Sequence, residues 1–485
     1  MARILVLILT VFALTGGLAA DALAQPKVTI TGLIDTITSW SDNVAIVGAQ
    51  SLFSDATDDE WYARNRIRTE VTGQVGKAKG VLGLEFDHTF GQTGATDGSF
   101  GAGGQRVGTR GAFDLNTDVA GTTELKWGYI EFPIPFNIPT VARLGAQPFA
   151  TTYKLAALAS GDFAGANFVT TFTPTVKWHV TYVMIEENLT GARFGFGRAD
   201  DHAVITSVEV TPFKGLDLRP TYAWFHADGS TSSAAANRPA GTPTIRATDT
   251  EFRHTIGIDA RWRSGPFSLD PTFFYQFGER EGIVAGAKRT ADIRAWFVDV
   301  IGGWRKGPLL VELRGVYTTG NKSTDDLSRD VDYYQLIDAD STYFAGGWGE
   351  IFPLGIDYFN GAFSTLGTQI GLDRYGRIAA AARATYSVTP DFDIRGVVSA
   401  LWTAEKVDTD GAANYFTPSP PGGRGDSRYA GTEVNLGIVW RFAPGLAFDL
   451  VGAHLFAGSA LDNTPAGQGS AKDVTTVASR IRFSF

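Results

Sequence analysis

Apolar and polar residues alternate with period two from about residue 27 to the C-terminus. This is the pattern of strands whose successive side chains point to opposite faces of a sheet. Across 428–442, Val434, Leu436, Ile438, Trp440 and Phe442 share one face, while Glu433, Asn435, Gly437 and Arg441 share the other. Across 249–264, Phe252, Ile256, Ile258 and Trp262 oppose Arg253, Thr255, Asp259, Arg261 and Arg263. Arg64, Arg66, Arg68 and Glu70 lie on a single face of 61–76. The final stretch sets Val477, Ile481, Phe483 and Phe485 against Arg480 and Arg482. The pattern predicts strands at 27–40, 61–76, 79–92, 121–133, 139–148, 163–173, 175–188, 200–213, 216–228, 249–264, 266–280, 290–305, 307–319, 373–388, 390–405, 428–442, 444–458 and 472–485. That is about eighteen strands, with 16–18 compatible with the sequence.

The connections alternate as well. Every second one is short and carries breaker residues, as in Thr173-Pro174, Ser264-Gly265-Pro266, Lys306-Gly307-Pro308, Thr389-Pro390 and Ala443-Pro444-Gly445. The others are longer, polar and rich in Gly and Asp, near 41–60, 93–120, 149–162, 189–199, 229–248, 281–289, 320–372, 406–427 and 459–471. A sandwich in water has no reason to alternate in this way. A transmembrane barrel does, with short periplasmic turns and long extracellular loops. In a bilayer every backbone N–H and C=O must be paired within the protein, so the sheet must close on itself. The predicted fold is therefore all-β: one transmembrane antiparallel β-barrel over residues 25–485. Trp40, Trp61, Trp178, Trp224, Trp262, Trp402 and Trp440 fall toward strand ends, where interfacial rings are expected.

Composition narrows the picture further. Glycine is 57 of 485 residues and aromatics are 12%, as many short amphipathic strands and tight turns require. A mean hydropathy of −0.03 is too low for a helical membrane protein. The absence of cysteine removes disulfide frameworks, thiolate metal sites and thiol catalysis. A net charge of −9 argues against a nucleic-acid partner. Arg3, the apolar residues 4–12 and Ala22-Leu23-Ala24 have the form of a secretory signal over 1–24, cut before Gln25. The mature chain is thus expected to be exported.

With these residues in view, the chain resembles Gram-negative outer-membrane porins. Arg480-Ile481-Arg482-Phe483-Ser484-Phe485 is similar to the C-terminal signal read by the barrel-assembly machinery, in which a terminal Phe follows alternating apolar residues. The stretch from Tyr429 to Gly437 (YAGTEVNLG) and the following LAFDLVGAHLFAGSAL resemble the penultimate hairpin of alginate-export-like barrels and related uncharacterised porins, and the Arg64, Arg66, Arg68, Glu70 strand fits that group. The porin resemblance spans 25–485; the alginate-export resemblance rests on about thirty residues and the strand count. It implies an outer-membrane location, lipid and lipopolysaccharide around the wall, and small anionic or neutral solutes inside. Barrels of this size occur both as monomers and as homotrimers. No cofactor is implied.

The polar parity assigns residues to the lumen. Its basic members include Arg64, Arg66, Arg68, Arg143, Arg253, Arg261, Arg263 and Arg314. Arg377, Arg383, Arg395, Arg441, Arg480 and Arg482 share that parity. They slightly outnumber the acids, and rings of Arg favour anions. Arg64, Arg66 and Arg68 are the strongest candidates, because three like charges on one strand face otherwise repel. Cross-strand pairing with Asp and Glu, simply to satisfy a polar interior, is the competing account. The connection at 320–372 is dense in aromatics, including Tyr343, Trp348 and Phe352. Such density disfavours a loop hanging in water and predicts one folded over or into the mouth. The Gly-rich 93–120, with Arg106 and Arg110, is a second candidate constriction.

Other signals carry less. His88, His226, His254 and His454 fall on the apolar parity, which fits interface positions rather than catalysis. No Ser, His and Asp set converges, so an enzyme is not expected, and no metal site is read. The expected function is passive diffusion of small hydrophilic solutes with some anion preference. Export of an anionic polysaccharide and a plugged structural or adhesive barrel are the alternatives.

Overall fold

The alternation is realised as long strands that meet their sequence neighbours edge to edge. The computed structural model describes residues 25–42, 60–90, 123–154, 157–187, 200–228, 249–339, 348–351, 374–409, 425–462 and 470–485. The strands are β1 (Lys27–Asp42), β2 (Glu60–Val75), β3 (Ala78–Phe90), β4 (Thr123–Pro133), β5 (Thr140–Ala150), β6 (Ala159–Thr173), β7 (Val176–Glu187), β8 (Asp200–Phe213), β9 (Leu216–Asp228), β10 (Thr250–Ser264), β11 (Phe267–Val284), β12 (Ala287–Lys306) and β13 (Leu309–Thr318). They continue with the short β14 (Asp330–Val331) and β15 (Asp338–Ala339), then β16 (Arg377–Thr389), β17 (Phe392–Val407), β18 (Ser427–Ala443), β19 (Leu446–Ala457) and β20 (Val474–Ser484).

The long strands pair antiparallel in chain order, with β13 bonded to β16 across the two short strands. β20 then pairs with β1, which closes an eighteen-strand barrel. At the seam the Gly32 N–H donates to the Phe485 carbonyl at 2.9 Å, and the Phe485 N–H donates back at 3.0 Å. A Cβ on Gly32 would lie 2.8 Å from the Phe485 ring, so only glycine fits this approach.

One predicted loop is instead a hairpin. At 281–289, β11 and β12 run on to a two-residue turn at Ala285 and Gly286, with φ of 49° and 82°. Two consecutive positive φ values give the twist that joins antiparallel strands tightly. The charged residues that read as loop are paired across the hairpin, Lys288 to Glu281 at 2.7 Å. Beyond the apolar band a strand faces water, and its outward residues are free to be charged.

The outward parity is apolar through the barrel's middle: Ile256 is 52% exposed and Leu436 64% exposed, while their neighbours Thr255 and Asn435 are buried. Aromatic rings gather at both ends of this band. Trp178 stacks with Phe172, and Trp440 meets Phe442, beside the short turns. His226 stacks on Phe252, His254 on Phe277, and Tyr275 meets Trp296, toward the long-loop end. His454 sits against Phe456. The side chain of His88 lies outside the described residues. A continuous apolar band between two aromatic belts is a surface for a bilayer.

Candidate functional site: the lumen and its inserted segments

Inward residues carry the charge, and the register decides what each charge meets. Several arginines stand directly opposite a carboxylate on the next strand. Arg480 and Asp449 pair at 2.8 Å through Nε. Arg482 grips Asp35 with two bonds of 2.6 and 2.7 Å. Arg383 meets Glu312 at 2.8 Å, and Arg143 meets Glu131 at 2.8 Å. Others reach a diagonal partner: Arg314 holds Asp299 at 3.1 and 2.6 Å, Arg441 holds Asp393 at 2.6 Å, and Arg263 holds Asp270 at 2.8 Å. Arg261, directly opposite Asp217, reaches it at 3.4 Å. Two-bonded guanidinium–carboxylate contacts fix orientation as well as charge.

The cluster on β2 is compensated in the same way. Glu85 on β3, buried, takes Arg66 at 3.4 Å, a direct bond from Arg68, and Lys126 of β4 at 3.6 Å. Lys126 also pairs with Asp162 at 2.8 Å. Glu70 accepts from the Thr72 hydroxyl at 3.3 Å. One buried carboxylate thus relieves the repulsion among same-face cations. The side chain of Arg64 lies outside the described residues.

Two segments of chain turn into the barrel. The first follows β5. Its Lys154 ammonium donates to the Asp299 carbonyl at 2.7 Å and lies 3.6 Å from that residue's carboxylate. Its Tyr153 ring lies 3.8 Å beneath the Arg261 guanidinium. Burial pushes the Tyr153 phenol up to about 12, with Glu209 adding to the rise. Burial likewise lowers the Lys154 ammonium, against the pull of Asp299. Neither residue was legible as a lumen group, since nothing local marks a loop residue that folds inward.

The second segment follows β13. β14 pairs in parallel with β12 and β15 in parallel with β6, so the chain crosses the interior between them. On the way the Tyr333 hydroxyl accepts from Arg280 at 2.6 Å. The Gln335 N–H donates to the Gln276 side chain at 2.9 Å, and Arg253 donates to the Leu336 carbonyl at 3.0 Å. The Tyr334 hydroxyl donates to the Ala157 carbonyl at 2.9 Å, and the Ile337 N–H to the Leu158 carbonyl at 2.8 Å, so the two inserted segments bind each other. Arg253 also pairs with Glu251 at 2.9 Å.

Further along, Trp348 is buried with the guanidiniums of Arg383 and Arg314 at 4.1 and 5.6 Å from its ring. The Glu350 and Ile351 N–H groups both donate to Glu433 Oε1, at 2.5 and 3.1 Å. Arg377 is buried at the foot of β16, its N–H donating to the Thr318 hydroxyl at 2.8 Å. Arg395 projects from β17, its charge acting on Glu350. Tyr343, Phe352, Arg106 and Arg110 lie outside the described residues.

The arrangement is a set of paired charges, fixed aromatic rings and chain inserted across the lumen. Among the described residues no group of three or more His, Cys, Asp or Glu side chains is placed to hold a metal ion. No family profile matches the chain, and no curated relative is found. Solved structures do match over nearly the whole length. Acinetobacter baumannii OccAB4 is 10% identical, with 96% of this chain and 100% of that chain covered and a TM-score of 0.54. The outer membrane protein opdK of Pseudomonas aeruginosa is 10% identical, with 95% and 99% covered and a TM-score of 0.52. A BenF-like porin from Pseudomonas fluorescens Pf-5 is 8% identical, with 95% and 98% covered and a TM-score of 0.52. At these identities the likeness is one of fold, and the fold is that of porin barrels.

Proposed function

We propose that this protein is an outer-membrane channel for passive diffusion of small hydrophilic solutes, with a preference for anions. The observation that carries this reading is a closed barrel whose outer band is apolar and whose interior is charged and narrowed by inserted chain. Pairing alone argues for a neutral wall. Exposure tilts the balance: side-chain exposure is 50% for Arg263 against 20% for Asp270, 48% for Arg441 against 15% for Asp393, and 31% for Arg68 against 4% for Glu85. At these pairs a solute meets guanidinium edges first, with the acids behind them, whereas Asp449, Glu209 and Asp162 are the more exposed partners of Arg480, Arg219 and Lys126; a planar guanidinium fork suits carboxylate and phosphate groups.

Polysaccharide export draws no support from the matching folds. A crossing segment held at β12, β11, β10 and β6 also lies across the path that a polymer would have to take. The deciding experiment is single-channel current from the purified protein in a planar bilayer under a KCl gradient. A stable current with an anion-selective reversal potential supports the reading, and replacing Arg64, Arg66 and Arg68 with Ala then shifts selectivity toward cations. Folded protein that passes no current would overturn it in favour of a plugged, structural barrel.

A further inference from the structure

Glu350 is a carboxyl group that the diffusion pathway does not need. It lies in the second inserted segment, where its own N–H and that of Ile351 converge on Glu433 of β18. Its side chain is buried, and so are Glu433, Trp348 and Ile351 around it. The charged groups that face it come from four neighbouring strands: Arg395 of β17, Glu433 of β18, Asp449 of β19 and Arg480 of β20. The two cations, Arg395 and Arg480, are not equivalent. Arg480 is already engaged by Asp449 at 2.8 Å, and Glu433 brings a second negative charge to the same place.

We propose that residues 348–351 form a proton-dependent latch, in which protonated Glu350 docks the inserted segment on the wall and ionised Glu350 loosens it. The latch then tightens as the medium becomes acidic. Desolvation by burial raises the carboxyl to about 8 in the docked state, with Arg395 opposing and Glu433 reinforcing the rise. Released into lumen water, the same group returns toward an ordinary carboxylate. Between those two values the docked form holds one proton that the released form lacks. Docking is therefore strongest below the released value and weakens about tenfold per pH unit as the pH rises toward the docked one.

The conductance readout rests on the channel reading, but the structural readout does not. Hydrogen exchange on the folded protein in detergent gives protection factors for the Glu350 and Ile351 amides, with the intrinsic base-catalysed rate divided out. From pH 5.5 to 7.5 the wild-type protection should fall about a hundredfold. In Glu350→Gln, which stays neutral, protection should hold constant. Single-channel conductance should rise over the same range in the wild type and stay flat in the variant. Protection that is independent of pH in the wild type, or that falls equally in Glu350→Gln, overturns the latch. A barrel that passes no current yet shows the exchange signature keeps the latch and refutes the channel.

Discussion

Glu85 offers the most direct test of the lumen electrostatics. Around it stand Arg66, Arg68 and Lys126, and the second carboxylate is Asp162, so the group carries a net charge of about +1. Glu85→Gln keeps the shape and raises that charge to about +2. A unit charge roughly 8 Å from a passing ion interacts by about 0.5 kcal/mol in water. That is a little over twofold for each sign of ion, or about fivefold in the anion-to-cation permeability ratio. At 0.1 M salt the screening length of about 10 Å cuts the energy roughly in half and the ratio to about twofold, while at 1 M almost nothing is left. The assay is the reversal potential under a KCl gradient at low and high mean salt. Arg68→Ala should shift it the opposite way. A heat-modifiable gel shift verifies that the barrel still closes, because leaving cations beside a neutral amide has a stability cost. Arg68 is partly open to water, so that cost stays below the ~3–5 kcal/mol of a fully buried pair. No shift at 0.1 M, or an equal shift at 1 M, would refute the reasoning.

Two further substitutions probe separate parts of the molecule. Trp348→Ala removes a buried ring that lies against the guanidiniums of Arg383 and Arg314 and should weaken docking of its segment by ~3–5 kcal/mol. Single-channel current should then increase while barrel melting stays put; a lower melting temperature with unchanged current would count against the inserted constriction. Phe485→Ala removes the ring packed against Gly32 at the closing seam, and the folded fraction recovered from outer membranes should drop. An undiminished yield would refute a role for that terminal residue in assembly.

The barrel was legible because its two faces meet two solvents. Each strand carries the bilayer's demand on every second residue, as Val434, Leu436 and Ile438 show against Glu433 and Asn435. Where that demand ends the signal ends too, and the hairpin of Ala285 and Gly286 reads as loop because Glu281 and Lys288 already face water. Inward parity could be read for Arg383 or Arg480, but their carboxylate partners could not, because pairing depends on register between strands distant in sequence. Aromatic density marked 320–372 as a segment unlikely in water. Its anchors Gln276, Arg253 and Glu433 carry no local sign, since each is an ordinary inward polar residue until another chain segment reaches it.

The crossing segment also changes how the cylinder responds to force. β12 and β6 stand six strands apart in a ring of eighteen, and the chain between β14 and β15 ties them along a chord. A thin-walled tube under lateral pressure yields first by ovalising. A tie along one chord resists any flattening that would lengthen it, squeezing along the perpendicular included, and leaves free the distortions that keep or shorten it. The barrel is therefore braced against one sense of flattening and free in the other, and fluctuations of the surrounding bilayer act mainly through the distortions the tie does not oppose.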